Sequence, residues 1–305
     1  MSLLGMFKGK GPSGYGYGST AEVVTQGLAL KGKNFLVTGS NSGLGLETVR
    51  VLAQRGGRVF AAARTQEKAA AAAHRVPGVI VPVACELSEP ASVRGCIAFM
   101  KEQGVKLDAI IANAGIMALP KLKQAFGYEL QFFTNHIGHF MLITGLLEQL
   151  ADKGRVVILS SDAHKAAPKV GIEFDNLSGE RHYSPWQAYG QSKLANLLCA
   201  KALAKRLAGS GKTANAVHPG VINTNLSRSM GAARMGLAIA EPLFLKSAQE
   251  GAATQCYVAT RPELEGVSGE YFADCNIRKS SAISYDAALA EKLWQESERI
   301  VEQLR

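Results

Sequence analysis

Proline is scarce in this 305-residue chain, 10 residues against 32 glycines, and no tract is biased toward either. Collagen-like and low-complexity disordered classes are thereby excluded. Cysteine is sparse as well: Cys85, Cys96, Cys199, Cys256 and Cys275 are odd in number, far apart and contain no C-x-x-C pair. That spacing supports neither a disulfide framework nor a cysteine zinc site, and a reducing, cytoplasmic setting is the expectation. No apolar run approaches the ~20 residues of a membrane-spanning helix. The first 20 residues do not read as a secretory signal, because no apolar core precedes a cleavage site. The net charge is +9, yet the 34 Lys and Arg are scattered singly and are not interleaved with aromatics, so no nucleic-acid partner is expected. An anionic cofactor, or peripheral contact with an anionic membrane surface, is enough to account for the charge.

What is present is apolar: 47% of residues are hydrophobic and only 19% charged, enough for one large core. A Gly-rich stretch, residues 1–30, reads as a flexible tail, and a single domain is expected over 31–305. Within it short apolar runs at 34–38, 58–63, 79–84, 109–112, 155–159 and 213–217 alternate with helical periodicity at 44–55, 67–74, 88–103, 128–150 and 188–208. Ser88 reads as the cap of its helix, with Pro90 in the first turn. A charged terminal helix at 287–304 has Leu289, Leu293, Ile300 and Leu304 on its apolar stripe. Such alternation predicts an α/β fold, a Rossmann-type doubly wound parallel sheet with helices on both faces and ligands at the strands' carboxyl ends.

Thr38-Gly39-Ser40-Asn41-Ser42-Gly43-Leu44-Gly45 follows the first strand and opens the first helix. Glycines there let backbone amides approach a pyrophosphate at the positive end of the helix dipole. The second strand ends Ala61-Ala62-Ala63-Arg64, without the acid that would hold the ribose 2′-hydroxyl of NAD. Arg64, assisted by Ser40 and Asn41, suits a 2′-phosphate instead, so the expected cofactor is NADP(H). Tyr189-Gly190-Gln191-Ser192-Lys193 puts Tyr189 and Lys193 on one helix face. A lysine ammonium within reach is expected to pull the phenol below its usual ~10.

The T-G-x-x-x-G-x-G spacing, followed in order by Asn113-Ala114-Gly115, Ser160-Ser161 and the Tyr189 pentad, resembles the short-chain dehydrogenase/reductase superfamily over residues 32 to about 275. Gly127-Tyr128-Glu129-Leu130-Gln131-Phe132 and Asn135-His136-Ile137-Gly138-His139-Phe140 look most like its retinol-dehydrogenase-like branch, which includes WW-domain oxidoreductases and chloroplast Tic32-like proteins. The resemblance implies catalytic roles for Asn135, Ser161, Tyr189 and Lys193, with Lys193 also on the nicotinamide ribose and Ser160 supporting. Asn135 would kink its helix around a water linking Lys193 to solvent. Glu86, followed by Leu87, stands where the family carries Asp against the adenine. Asn113, Ala114 and Gly115 would line the cofactor, and Pro219, Gly220, Val221 and Thr224 would face the nicotinamide carboxamide.

The implied activity is NADP(H)-dependent interconversion of an alcohol with an aldehyde or ketone; an NADP-binding regulatory or redox-sensing protein with little turnover is the alternative. His136 and His139 lie three apart on a helix, but no ligand set completes them and no metal is predicted. His164, close to Ser161, reads as a loop residue that could touch substrate. Two insertions, 162–187 and 225–247, stand where substrate loops are expected. The first carries His182, Tyr183 and Trp186, which either wall an apolar pocket or pack the insertion down. The second carries Met230, Met235, Leu237, Ile239, Leu243, Phe244 and Leu245, suiting an apolar small-molecule substrate such as a retinoid, steroid or long-chain carbonyl compound, or equally a homodimer or tetramer contact.

Overall fold

The structure, a computed structural model, describes residues 9–222 and 245–304. Its centre is an eight-stranded sheet in the order β10-β9-β8-β7-β4-β1-β2-β3. The strands are β1 (Asn34–Thr38), β2 (Arg58–Ala63), β3 (Ile80–Ala84), β4 (Leu107–Ala112), β7 (Leu150–Leu159), β8 (Thr213–His218), β9 (Tyr271–Ala273) and β10 (Asn276–Ile277). All neighbours pair parallel except β9 with β10.

The central strands are apolar on both faces because both are covered. Leu36 and Ile110 enter one core cluster with the helices α4 (Pro90–Glu102), α6 (Gly138–Gly145), α7 (Pro185–Arg206) and α10 (Ala287–Gln303). Their neighbours Phe35, Val37, Ala109 and Ile111 enter the other, with α2 (Gly43–Gln54) and α9 (Ala253–Thr260). The two-residue period of a strand thus sorts successive side chains into opposite layers. From β1 the chain winds outward through β2 and β3, then crosses to β4 on the other side of β1. The reversal opens a crevice at the carboxyl ends of β1 and β4, the place where such sheets take ligands.

Several local expectations need correction. Ser88 does not cap α4: Glu89 holds the cap position and Pro90 the first helical one, while the Ser88 hydroxyl donates to Glu86 Oε1 at 3.0 Å. Residues 9–30 are not a flexible tail but a strap packed on the domain. Ser13 N–H donates to the Asn276 side chain at 3.0 Å, which in turn donates to the Tyr15 carbonyl at 3.1 Å. The Tyr15 ring meets Tyr257 edge-on at 5.6 Å, and α1 (Ala21–Val24) buries Ala21 and Val24. The stretch 128–150 is no single helix. It begins in a hairpin of β5 (Gln124–Ala125) and β6 (Tyr128–Glu129), continues through α5 (Leu130–Phe132) and a π-turn over Phe133–Ile137, and becomes α6. On α10 the buried stripe is Ala290, Leu293, Trp294, Ser297 and Ile300, so Leu289 and Leu304 sit at its margin.

Candidate active site

At the end of β1, Gly39 and Gly43 take positive φ of 67° and 54°, in the left-handed region where glycine is favoured. Gly45 is needed for a different reason: a Cβ there would stand 2.1 Å from the Gly39 carbonyl oxygen. Ser42, the cap of α2, makes no side-chain bond to the helix, and the first turn holds no acid. The helix start therefore presents amides and positive dipole without a competing carboxylate, which suits a phosphate. Arg64 is exposed just past β2, and Asn41 is half-buried nearby in the turn. Ser40 departs from expectation. It is fully buried and its hydroxyl donates to the Ala62 carbonyl at 2.9 Å, tying the turn to β2 instead of offering that proton to a phosphate. These residues fit a dinucleotide.

The other walls of the crevice are also in place. Asn113 donates from its side chain to the Thr38 carbonyl at 2.8 Å, and the Asn113 and Ala114 N–H groups both donate to Thr38 Oγ1 at 3.0 Å. Gly115 gives way to its neighbours: a Cβ there would lie 3.1 Å from Asn135 Oδ1 and 3.4 Å from Lys193 Nζ. Glu86 turns its carboxylate to Ser88, accepting from both its N–H and its hydroxyl, and Leu87 is buried with its carbonyl against Gly138. Gly220 has a φ of 92°, and Val221 beyond it is 64% exposed. Thr224 and most of the second insertion lie outside the described residues.

Four side chains converge at the ends of β4 and β7. Asn135 sits in the π-turn, where the extra residue per turn redirects a helix. Its amide accepts from the Ile116 N–H at 2.8 Å and donates to the Ile116 carbonyl and to Ser192 Oγ, both at 2.9 Å. Lys193 is only 4% exposed, donates to the Leu159 carbonyl at 3.1 Å, and holds its Nζ 5.6 Å from the centre of the Tyr189 ring. Ser161 caps the one-turn 3-10 helix Asp162–Ala166, its hydroxyl accepting from the Ala163 N–H at 3.2 Å, and it stands near enough to the Tyr189 phenol to lower it. Ser160 is buried beside them, and its hydroxyl donates to the Lys193 carbonyl at 2.8 Å. Gly190 lets α7 approach this turn, since a Cβ there would stand 2.7 Å from the Ala163 carbonyl oxygen and from Ala167 N.

The electrostatics of the pair reverse one expectation. Burial pushes the Tyr189 phenol up to about 12, and Ser161 pulls it only partly back. Burial also pushes the Lys193 ammonium down to about 8. Desolvation disfavours the charged form of each group, and in the protein alone it outweighs the ammonium's expected pull on the phenol.

The aromatics of the first insertion divide. Tyr183 packs, donating to the Leu119 carbonyl at 2.6 Å and accepting from Gln131 at 3.1 Å. Trp186, one turn before Tyr189, is 47% exposed with its ring edge-on to Tyr189 at 6.2 Å. His136 and His139 are buried packing residues; His136 Nε2 lies 2.8 Å from Ser297 Oγ. A link not anticipated from sequence joins the phosphate turn to the π-turn. Thr38 Oγ1 already accepts two N–H bonds, so its own proton goes to His139 Nε2 at 2.8 Å, and His139 Nδ1 donates to the Asn135 carbonyl at 2.9 Å. Lys246 was also missed: it is buried under Gly220, paired with Asp274 at 2.6 Å, and covered by the Tyr17 ring at 4.5 Å. The only sequence signal for the first was the four-residue spacing of Asn135 and His139; a lone lysine gave none for the second.

A doubly wound sheet with an uncapped glycine turn beside a buried Tyr, Lys and Ser defines a dinucleotide-dependent oxidoreductase fold and site. The family model described as short chain dehydrogenase matches residues 33–235, and the chain belongs to that family. It is 42% identical over 322 residues to the chloroplastic short-chain dehydrogenase TIC 32 B of Brassica napus, the match covering all of both chains. It is 39% identical over 282 residues to retinol dehydrogenase 11 of Mus musculus, covering 90% of this chain and 88% of the relative. The crystal structure of an uncharacterized protein from Mycobacterium paratuberculosis superposes with a TM-score of 0.75 at 34% identity, covering 93% of this chain and 98% of the other.

Proposed function

We propose that this protein is an NADP(H)-dependent oxidoreductase that interconverts an aldehyde or ketone with its alcohol, on apolar substrates, in a reducing compartment such as the cytosol. The observation that carries the reading is the meeting of Tyr189, Ser161, Lys193 and Asn135 at the strand ends beside the glycine turn. When bound, the nicotinamide supplies or accepts the hydride.

The chain's own part is proton chemistry and positioning. A phenol pushed up to about 12 is protonated at neutral pH, so Tyr189 is poised as the acid that gives its proton to the substrate oxygen. Ser161 donates a second hydrogen bond to that oxygen and stabilises charge as it develops. Lys193 returns a proton to the phenol, since an ammonium near 8 can lose and regain one close to neutral pH, and Asn135 holds the Ile116 backbone and Ser192 in place beside it. Preference for NADP(H) rests on Arg64, exposed past β2 with no acid at that strand end. Preference for an apolar substrate is supported by Trp186, exposed against Tyr189, and by the kinship with retinol dehydrogenases.

The test is a screen of NADPH consumption over short, long-chain and polyene aldehydes and ketones, with Tyr189→Phe as control. The expected result is turnover that rises with the apolar length of the substrate and collapses in the variant. Equal, negligible rates in both proteins would overturn it in favour of a nucleotide-binding regulator.

A further inference from the structure

His164 lies three residues beyond Ser161 and is 1% exposed. Both ring nitrogens are committed to backbone: Nδ1 is 2.6 Å from the Ser161 carbonyl oxygen, and Nε2 is 3.0 Å from the Ser281 nitrogen. A carbonyl can only accept and an amide N–H can only donate, so Nδ1 carries the proton, Nε2 is bare, and the ring is neutral in one tautomer. Neither nitrogen is left for substrate, so of the two readings the sequence offers for His164 the packed loop residue stands and the substrate contact does not.

The ring bolts Ser161 to a segment 120 positions further along the chain. The Ser161 carbonyl also accepts the N–H of His164 at 3.0 Å, so two donors from one residue fix its direction. The ring meets Tyr271 of β9 edge-on at 5.2 Å, and the Tyr271 hydroxyl donates to Asp162 Oδ1 at 3.1 Å. The N–H of Asp162 donates in turn to His218 Nδ1 at 3.2 Å. The short turn that carries Ser161 is therefore held from outside, by β9, by the end of β8 and by Ser281, as well as by the bonds of its own single turn of helix.

We propose that His164 is a positioning residue: its neutral ring clamps the Ser161 backbone to the Ser281 segment and keeps the Ser161 hydroxyl beside the Tyr189 phenol. The inference rests on reading Ser161 and Tyr189 as the reacting pair. Small displacements of an aimed group are expensive in rate, about 100-fold for ~1 Å, so the clamp is expressed in kcat more than in binding.

The experiment is a double-mutant cycle on carbonyl reduction by NADPH. His164→Phe removes both bonds and is expected to lower kcat about tenfold or more, with substrate KM within about threefold and NADPH affinity unchanged. His164→Asn keeps a donor near the Ser161 carbonyl and recovers much of the loss. In a Ser161→Ala background, His164→Phe costs nothing further, because there is no hydroxyl left to aim; its pH profile for alcohol oxidation moves to higher pH, as that of Ser161→Ala does. Should His164→Phe fail to fold, Ser281→Pro tests the same clamp. Ser281 has a φ of −61°, which proline accepts; the ring's Cδ replaces the N–H and drives the imidazole off this segment, and the hydroxyl that is also lost has no hydrogen-bond partner. Losses from His164 and Ser161 that multiply independently, or a Ser281→Pro enzyme with unchanged kcat, would overturn the inference. Wild-type rates in Tyr189→Phe would instead sink the reading of the site, whatever His164 does.

Discussion

Lys193→Met separates what the active-site lysine does for the reaction from what it costs the fold. The ammonium is buried, and its only hydrogen bond to the protein among the described residues is to the Leu159 carbonyl, which also accepts from Asn196 at 2.9 Å. Burial lowers it from 10.5 to about 8. At about 1.4 kcal/mol for each tenfold change in proton affinity, carrying the charge at pH 7 costs the cofactor-free protein about 3 kcal/mol. Methionine has similar length and no charge to desolvate, and the Leu159 carbonyl keeps a donor. The variant should therefore unfold at higher urea at pH 7, with about 3 kcal/mol more stability, while losing turnover and NADPH affinity. The pH dependence has a definite sign. Between about 8 and 10.5 the unfolded chain binds a proton that the folded wild type does not, so wild-type stability rises with pH across that window and the gap closes. Urea titrations followed by circular dichroism at pH 7 and 9.5 measure both. A variant less stable than wild type at pH 7, or a gap that widens at pH 9.5, would refute the reasoning.

Acid should unfold the protein early. Burial lowers His136 to about 3 and His139 to about 4 from an ordinary 6.5, so between pH 6.5 and about 4 the unfolded chain takes up protons that the folded one refuses. Stability is complete above pH 6.5 and falls by about 2 kcal/mol per histidine from pH 7 to 5, a large part of the ~5–15 kcal/mol a domain has; a urea midpoint unchanged between these pH values contradicts it. Arg64→Ala should weaken NADPH by about 1.5–3 kcal/mol, the worth of a bond to a charged group, and leave NADH untouched; equal effects in fluorescence titrations would remove Arg64 from the 2′-phosphate. Gly190→Ala forces a Cβ onto the Ala163 carbonyl and Ala167 N. It should cost about 1–3 kcal/mol and lower kcat more than NADPH affinity, and an unperturbed melting curve would show that α7 and the Ser161 turn have room.

Most of the fold was legible because its signals are periodic. Apolar runs such as Phe35-Leu36-Val37 and Ala109-Ile110-Ile111 can only be strands covered on both sides, and the glycine turn between β1 and α2 is a local demand of the backbone. β5, β6, β9 and β10 are two or three residues long, too short to show a period, and their pairing is settled by tertiary contact. The N-terminal strap misled for a related reason. Its glycines read as loop, and what holds it, Tyr15 on Tyr257 and Asn276 on the backbone of residues 13 and 15, is distant in sequence.

The site followed the same division. Tyr189 and Lys193 were set on one helix face by their four-residue spacing, and Ser161 and Asn135 were assigned from the family resemblance, but the direction of the Tyr189 shift depends on burial, which neither encodes. Ser40 was assigned to the phosphate for its residue type, and the Ala62 carbonyl had already claimed its proton. His164 and His139 looked ordinary because a neutral, doubly bonded imidazole leaves no pattern in sequence.

The most direct measurement of the central claim follows the hydrogen itself. NADPH carrying deuterium at the transferring C4 position is incubated with the protein and a long-chain or polyene aldehyde, and the alcohol is analysed by mass spectrometry. The account predicts one deuterium on the carbinol carbon, formed by the wild type and lost with Tyr189→Phe. Alcohol formed without the label, or formed equally by the variant, would contradict it.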